Sequence, residues 1–132
     1  MTTVIPLTLH LLVLIGVYEL AAGIAGLTAR IDWPSLLDEL ERSPALTFVT
    51  GFMAFVVGAA INLAHHHWTD LPAIIVSAIG WIALVEGVML MVCPKPLLRV
   101  SRRLVRNQKL ISLLAAAFGL ILIALGLTGR AA

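Results

Sequence analysis

Glu19 and Glu86 are the residues of this chain best placed to carry chemistry, because each lies inside a long apolar stretch, Val4–Leu27 and Leu71–Val92 respectively. A carboxylate in hydrocarbon costs about 2.5–3.5 kcal/mol on insertion scales and normally faces a bundle interior or water. If both stretches are helices crossing a bilayer in the same direction, the two groups lie slightly past the middle of each and at nearly the same depth. The intervening and final stretches pass that depth near Thr50 and Ser112, whose hydroxyls are candidate partners, as is the phenol of Tyr18 beside Glu19. Brought together, the carboxylates would share a proton, since desolvation and mutual repulsion both oppose a second charge. Two uses follow: a proton- or cation-linked pair, or two neutral acids that hydrogen-bond helices at about 0.6–2 kcal/mol each. The second is the plainer expectation, because holding helices together asks only for proximity.

His65, His66 and His67 form a second conspicuous set, and imidazoles are good metal ligands. Three consecutive residues project in different directions, so at most two, His65 and His67, could share one ion. Asp70 and His10 are the only nearby additions. No second cluster of Cys, His or carboxylate accompanies them, so the expectation is an interfacial, partly solvated turn and no bound metal. A haem held by two histidines needs facing positions in the interior, where only His10 lies. Cys93 is the only cysteine, which excludes an internal disulfide. No nucleotide-binding loop, catalytic triad or nucleic-acid motif is present, so the chain reads as non-enzymatic, with no cofactor and no nucleic-acid partner.

The elements that must position these groups follow from composition. Of 132 residues, 61% are hydrophobic and 12% charged, against about 45–50% and about 25% in soluble domains. That leaves too little polar surface for a water-soluble globule. A helix needs about 20 mostly apolar residues to cross a bilayer core about 30 Å thick, and Val4–Leu27, Ala45–Ala64, Leu71–Val92 and Leu110–Leu127 all qualify. The expectation is an all-α membrane protein, a single four-helix transmembrane domain over residues 1–132. The first stretch is read as a retained helix, since Met1–Pro6 has no Lys or Arg and a secretory signal begins with positive charge.

Of the nine Lys and Arg residues, Arg30 and Arg42 fall in the first connection, six from Lys95 to Lys109 in or beside the third, and only Arg130 on the other face. Short loops rich in Lys and Arg stay cytoplasmic, which places both termini outside a plasma (inner) membrane. Both cytoplasmic connections have helical apolar spacing. In Pro34–Arg42, Leu36, Leu37 and Leu40 share a face opposite Asp38, Glu39 and Glu41. In Pro96–Arg106, Leu97, Leu98, Ser101, Leu104 and Val105 oppose Arg99, Arg102, Arg103 and Arg106. These amphipathic segments, one acidic and one basic, are expected to pair loosely, with the basic one holding anionic lipid headgroups. Trp33 and Trp68 suit the inner and outer aromatic belts.

Small residues mark packing faces: Gly16 and Gly23, Gly51 and Gly58, and Gly119 and Gly126 each recur at heptad spacing, as close helix contacts in membranes favour. Laying the first helix pair on the second brings Glu19 opposite Glu86, Pro34 near Pro96, and Gly51 and Gly58 opposite Gly119 and Gly126. This reads either as a tandem helix-hairpin duplication or as chance likeness between Leu- and Ala-rich helices. His65-His66-His67-Trp68, Gly80-Trp81 through Glu86-Gly87, and Pro94 resemble a family of small uncharacterised four-helix membrane proteins of prokaryotes. Where that family often carries a basic residue, this chain has Glu86. The second half, with Val85-Glu86-Gly87, a Pro and a basic stretch before a Gly-rich helix, also resembles the two-helix YjeT-like inner-membrane proteins. Neither resemblance implies an activity. Small multidrug exporters share the size and a glutamate in helix one, but Val17-Tyr18-Glu19-Leu20 does not match their motif.

The sequence therefore supports a scaffold or accessory subunit of a membrane assembly, a homo-oligomer or the partner of another membrane protein. A proton- or cation-linked transporter using Glu19 and Glu86 is the alternative. The basic bias makes a topological prediction. In a Cys93→Ala background, cysteines placed at positions 3 and 68 should react with an impermeant thiol reagent added outside, and one at position 102 should be shielded. The reverse labelling pattern would invert the topology.

Overall fold

The computed structural model describes residues 6–65, 68 and 71–128. Among them the chain forms α1 (Pro6–Leu27), α2 (Trp33–Arg42), α3 (Pro44–Ala64), α4 (Leu71–Val92), α5 (Pro94–Leu104) and α6 (Gln108–Thr128). The four long helices α1, α3, α4 and α6 are long and apolar enough to cross a membrane, so the chain is a helical, multi-pass membrane protein. Capping chemistry moves several ends from where apolar runs alone would set them. The Ser43 hydroxyl accepts the Leu46 N–H at 3.1 Å and starts α3 at Pro44, as a side-chain cap followed by proline should. Asn107 accepts the Leu110 N–H at 3.3 Å, so α6 begins at Gln108. Extended backbone at Cys93 before Pro94 starts α5 there, ahead of Pro96.

Lipid is as apolar as leucine, so helices in it associate through close packing instead of hydrophobic burial. Glycine supplies that closeness in two antiparallel pairs. Between α1 and α6, a Cβ added at Gly16 would stand 2.7 Å from the Gly119 carbonyl oxygen, and one at Gly23 2.6 Å from that of Ser112. Between α3 and α4, a Cβ at Gly51 would stand 2.8 Å from the Gly87 oxygen, and one at Gly58 2.8 Å from the Gly80 oxygen. Each of the four helices thus carries two glycines seven residues apart on its seam, and backbone meets backbone where a side chain would hold the helices apart.

The short helices α2 and α5 belong to the second pair. Only Ser43 separates α2 from α3, and Thr47 fastens the corner by donating to the Leu40 carbonyl at 2.5 Å and to that of Ser43 at 3.1 Å. Only Cys93 separates α4 from α5. The tight corner thus follows the short helix in the first half of the chain and precedes it in the second. Leu37 of α2, Leu90 of α4 and Leu98 of α5 form a small buried cluster at this end. At the opposite end Leu12, Ile61, Val76 and Leu122 join all four long helices, with Leu11 and Ile15 of α1 and Ile75 and Ile79 of α4 packed against them. The turn after α1 is closed by the Ile31 N–H on the Ala25 carbonyl at 3.1 Å, with Ala29 left-handed at φ 59°.

The glycine seams make a direct prediction. At Gly87 an added Cβ meets the Phe55 backbone nitrogen and lies 2.6 Å from the Gly51 oxygen; backbone cannot step aside as a side-chain tip can. Gly87→Val should lower stability by about 1–3 kcal/mol, the usual range for overpacking. Leu120→Val, on an exposed face of α6, should change it by about 0.5 kcal/mol or less. Thermal unfolding of both variants in the same detergent checks this, and equal melting temperatures would refute the seam.

Candidate functional site

Three polar groups mark one side of the junction between α1 and α4. Ile15 and Ile79 pack on the shared core; three and four residues beyond Ile15 on the same helix face come Tyr18 and Glu19, and seven beyond Ile79 comes Glu86. Depth can be read from a hydrogen-bonded reference level, where His65 joins Thr8 of α1 to Ser77 of α4. Glu19 and Glu86 lie 11 and 9 residues past it, so at about 1.5 Å per residue their depths differ by only about 3 Å. Tyr18 is 71% exposed. Glu19 is half-buried and Glu86 exposed. Glu86 borders a shallow depression of about 360 Å³ walled by Trp81, Val85 and Met89 of α4 and Leu97 of α5.

The candidate partners Thr50 and Ser112 are engaged elsewhere. Thr50 donates to the Leu46 carbonyl of its own helix at 2.8 Å, the usual use of a threonine inside a membrane helix. Ser112 accepts the Trp33 indole N–H at 3.3 Å. Among the described residues neither glutamate has a hydrogen-bonded or ion-paired side chain.

His65 is where the structure departs most from the sequence reading. It is not a partly solvated turn residue: it is 1% exposed, as is Ser77, and Thr8 is 0% exposed. Thr8 Oγ1 lies 2.7 Å from His65 Nε2, and Ser77 Oγ lies 3.0 Å from Nδ1. Hydroxyls donate or accept as needed, so a neutral imidazole is satisfied in either tautomer. Both ring nitrogens therefore serve to latch α1, the end of α3 and α4, and neither is directed at an ion. His66, His67 and Asp70 lie outside the described residues. Within the described residues no group of three His, Cys, Asp or Glu side chains converges.

At the other end Gln108 clasps the first pair, a role sequence reasoning missed. Its amide nitrogen donates to the Gly26 carbonyl at 3.0 Å and the Ile31 carbonyl at 2.7 Å, while its oxygen accepts the Trp33 backbone N–H at 3.0 Å. Trp33 is thus turned onto α6 by two bonds and is half-buried, not an outward belt residue. A glutamine beginning an apolar helix, and a Thr and a Ser near the starts of two others, were the available signals.

The acidic helix α2 and the basic helix α5 do meet. One guanidinium nitrogen of Arg102 lies 2.9 Å from Asp38 and 2.8 Å from Glu41. Donating to Glu41, and then to Asp38, holds this guanidinium further above the already high arginine range, so its charge is permanent. Arg99, Arg103 and Arg106 are exposed and make no ion pair among the described residues.

The latch is testable by hydroxyl bookkeeping. His65→Leu should cost about 1–3 kcal/mol, mainly through the Thr8 hydroxyl, because a buried polar group that loses its partner carries its desolvation penalty. Adding Thr8→Val to His65→Leu should recover part of that loss in thermal unfolding. A double variant less stable than His65→Leu by the full cost of Thr8→Val alone would overturn the latch.

In comparisons over the whole chain, no protein-family model matches it, and neither does any curated protein or solved structure.

Proposed function

We propose that this protein is a subunit of a membrane assembly, non-enzymatic, whose α1/α4 side is covered by another transmembrane segment supplied by a second copy or by a different membrane protein. The observation that carries this reading is the contrast between Glu19 and Glu86 and the other polar groups at membrane depth. His65, Thr8, Ser77 and Ser112 are buried and hydrogen-bonded. The two carboxylates, each costing about 2.5–3.5 kcal/mol in hydrocarbon, have no such partner among the described residues, and Glu86 is exposed on the rim of an aromatic- and methionine-walled depression. Covering that side with a helix that offers a donor removes the cost. In this reading the membrane is the plasma (inner) membrane of the cell, both termini face outward, and α2 and α5 lie in the cytoplasmic interface, as the basic bias favours.

A second reading, a proton- or cation-linked transporter, draws on the nearly equal depth of the two carboxylates on α1 and α4, which differ by only about 3 Å along the helices. The tandem-duplication idea is needed by neither reading.

Two glutamate variants separate the readings. Gln keeps both a donor and an acceptor, so Glu86→Gln should preserve self-association or partner binding in lipid nanodiscs. Glu86→Leu should weaken it by about 1 kcal/mol, roughly fivefold, the scale of an interhelical hydrogen bond in membranes. Mass in nanodiscs and proteoliposome proton uptake are measured on the same preparations. A monomeric wild type whose proton uptake vanishes in Glu19→Gln would replace the assembly reading with transport.

A further inference from the structure

Where the second helix pair meets α2 and α5, the chain forms a half-open cavity of about 810 Å³, within the size of pockets that hold small ligands. Its floor is apolar: Leu40 of α2, Phe48 of α3, and Leu90 and Met91 of α4. Its rim is cationic, with Lys95, Arg99 and Arg102 of α5 on it. Lys95 and Arg99 are four residues apart and share one helix face. The three cations are not equivalent. Arg102 is taken by Asp38 and Glu41, which also cancels the one carboxylate, Glu41, on the rim. Lys95 and Arg99 make no ion pair among the described residues. The cavity lies where α3 begins at Pro44 and α4 ends at Val92, which is the depth of the headgroups in a bilayer spanned by these helices.

We propose that this cavity is a binding site for one anionic glycerophospholipid, its phosphate held between Lys95 and Arg99 and its upper acyl chains lying on Phe48 and Met91. An apolar floor opening to the bilayer excludes a free phosphate, which would gain nothing from it. An uncancelled pair of cations disfavours zwitterionic lipids, whose headgroup amine would meet them. Diffuse attraction of the basic helix to a charged surface is a different matter, because it draws equally on Arg103 and Arg106, which are off the rim. The acidic helix α2 is then part of the site: by neutralising Arg102 and walling the cavity with Leu40, it leaves one two-cation notch in place of a broad basic face.

Native mass spectrometry of the purified full chain, titrated with phosphatidylglycerol or phosphatidylethanolamine in the same detergent, tests this. Each juxtamembrane cation contributes about fivefold to anionic-lipid affinity, so the wild type should retain one phosphatidylglycerol in preference to phosphatidylethanolamine. Lys95→Ala with Arg99→Ala should lose about 25-fold and abolish the preference. Arg103→Ala with Arg106→Ala, an equal change of charge, should keep it within about twofold. Met91→Trp, which fills the floor and leaves every charge in place, should also weaken binding, and inorganic phosphate should not compete. Equal losses in the two double variants, undiminished binding in Met91→Trp, competition by inorganic phosphate, or no preference between the lipids would each overturn the site. Helix content and melting temperature of each variant report whether its fold is intact; Lys95 and Arg99 are exposed, so their double variant should match the wild type.

Discussion

Hydrocarbon around four long helices removes the ordinary reason for helices to pack, since a leucine side chain gains little by exchanging lipid for protein. What remains is contact density, and here it is concentrated on backbone approaching backbone at Gly16, Gly23 and Gly119 in one pair and at Gly51, Gly58, Gly80 and Gly87 in the other. The rest of the architecture depends on these two seams. They join α1 to α6 and α3 to α4, and so decide that the short helices α2 and α5, each fastened by a single residue to α3 or α4, travel with the second pair.

The two pairs are held to each other by a different kind of interaction at each end. At one end a buried imidazole links Thr8 to Ser77 above a core shared by all four long helices. At the other end the apolar cluster draws only on α2, α4 and α5, and Gln108 and Ser112 of α6 hold Trp33, the first residue of α2, by its backbone and its indole N–H. Between these levels α1 and α4 run out of shared core just where Glu19 and Glu86 begin. The carboxylates are therefore not incidental to the packing. They occupy the stretch of the α1/α4 face that the isolated four-helix unit leaves uncovered, which ties the assembly reading to the same seams that build the fold.

Charge at the α2/α5 end follows a similar logic of partial cancellation. Two acidic residues on α2 converge on one arginine, and Arg99, Arg103 and Arg106 of the α5 stretch make no ion pair among the described residues. A surface ion pair of this exposure matters less for stability than for arrangement: it selects which cations stay available.

The four long apolar helices were legible in the sequence. Each rests on local physics: a helix satisfies its own backbone within four residues, its length is set by the bilayer, and proline and hydroxyl caps mark its ends. Heptad glycines also announced that close packing would occur. Which seam meets which was not written locally, because any glycine face fits any other in isolation and only the three-dimensional arrangement joins α1 to α6. Tertiary structure likewise decided the fate of single polar residues. His65 looked like part of a solvated turn and Ser112 like a partner for a carboxylate, yet the Thr8 hydroxyl and the Trp33 indole N–H brought beside them come from far away in the chain. A polar side chain in a membrane takes whichever donor or acceptor the packing presents, since no water competes for it, and that choice exists only once the helices are together.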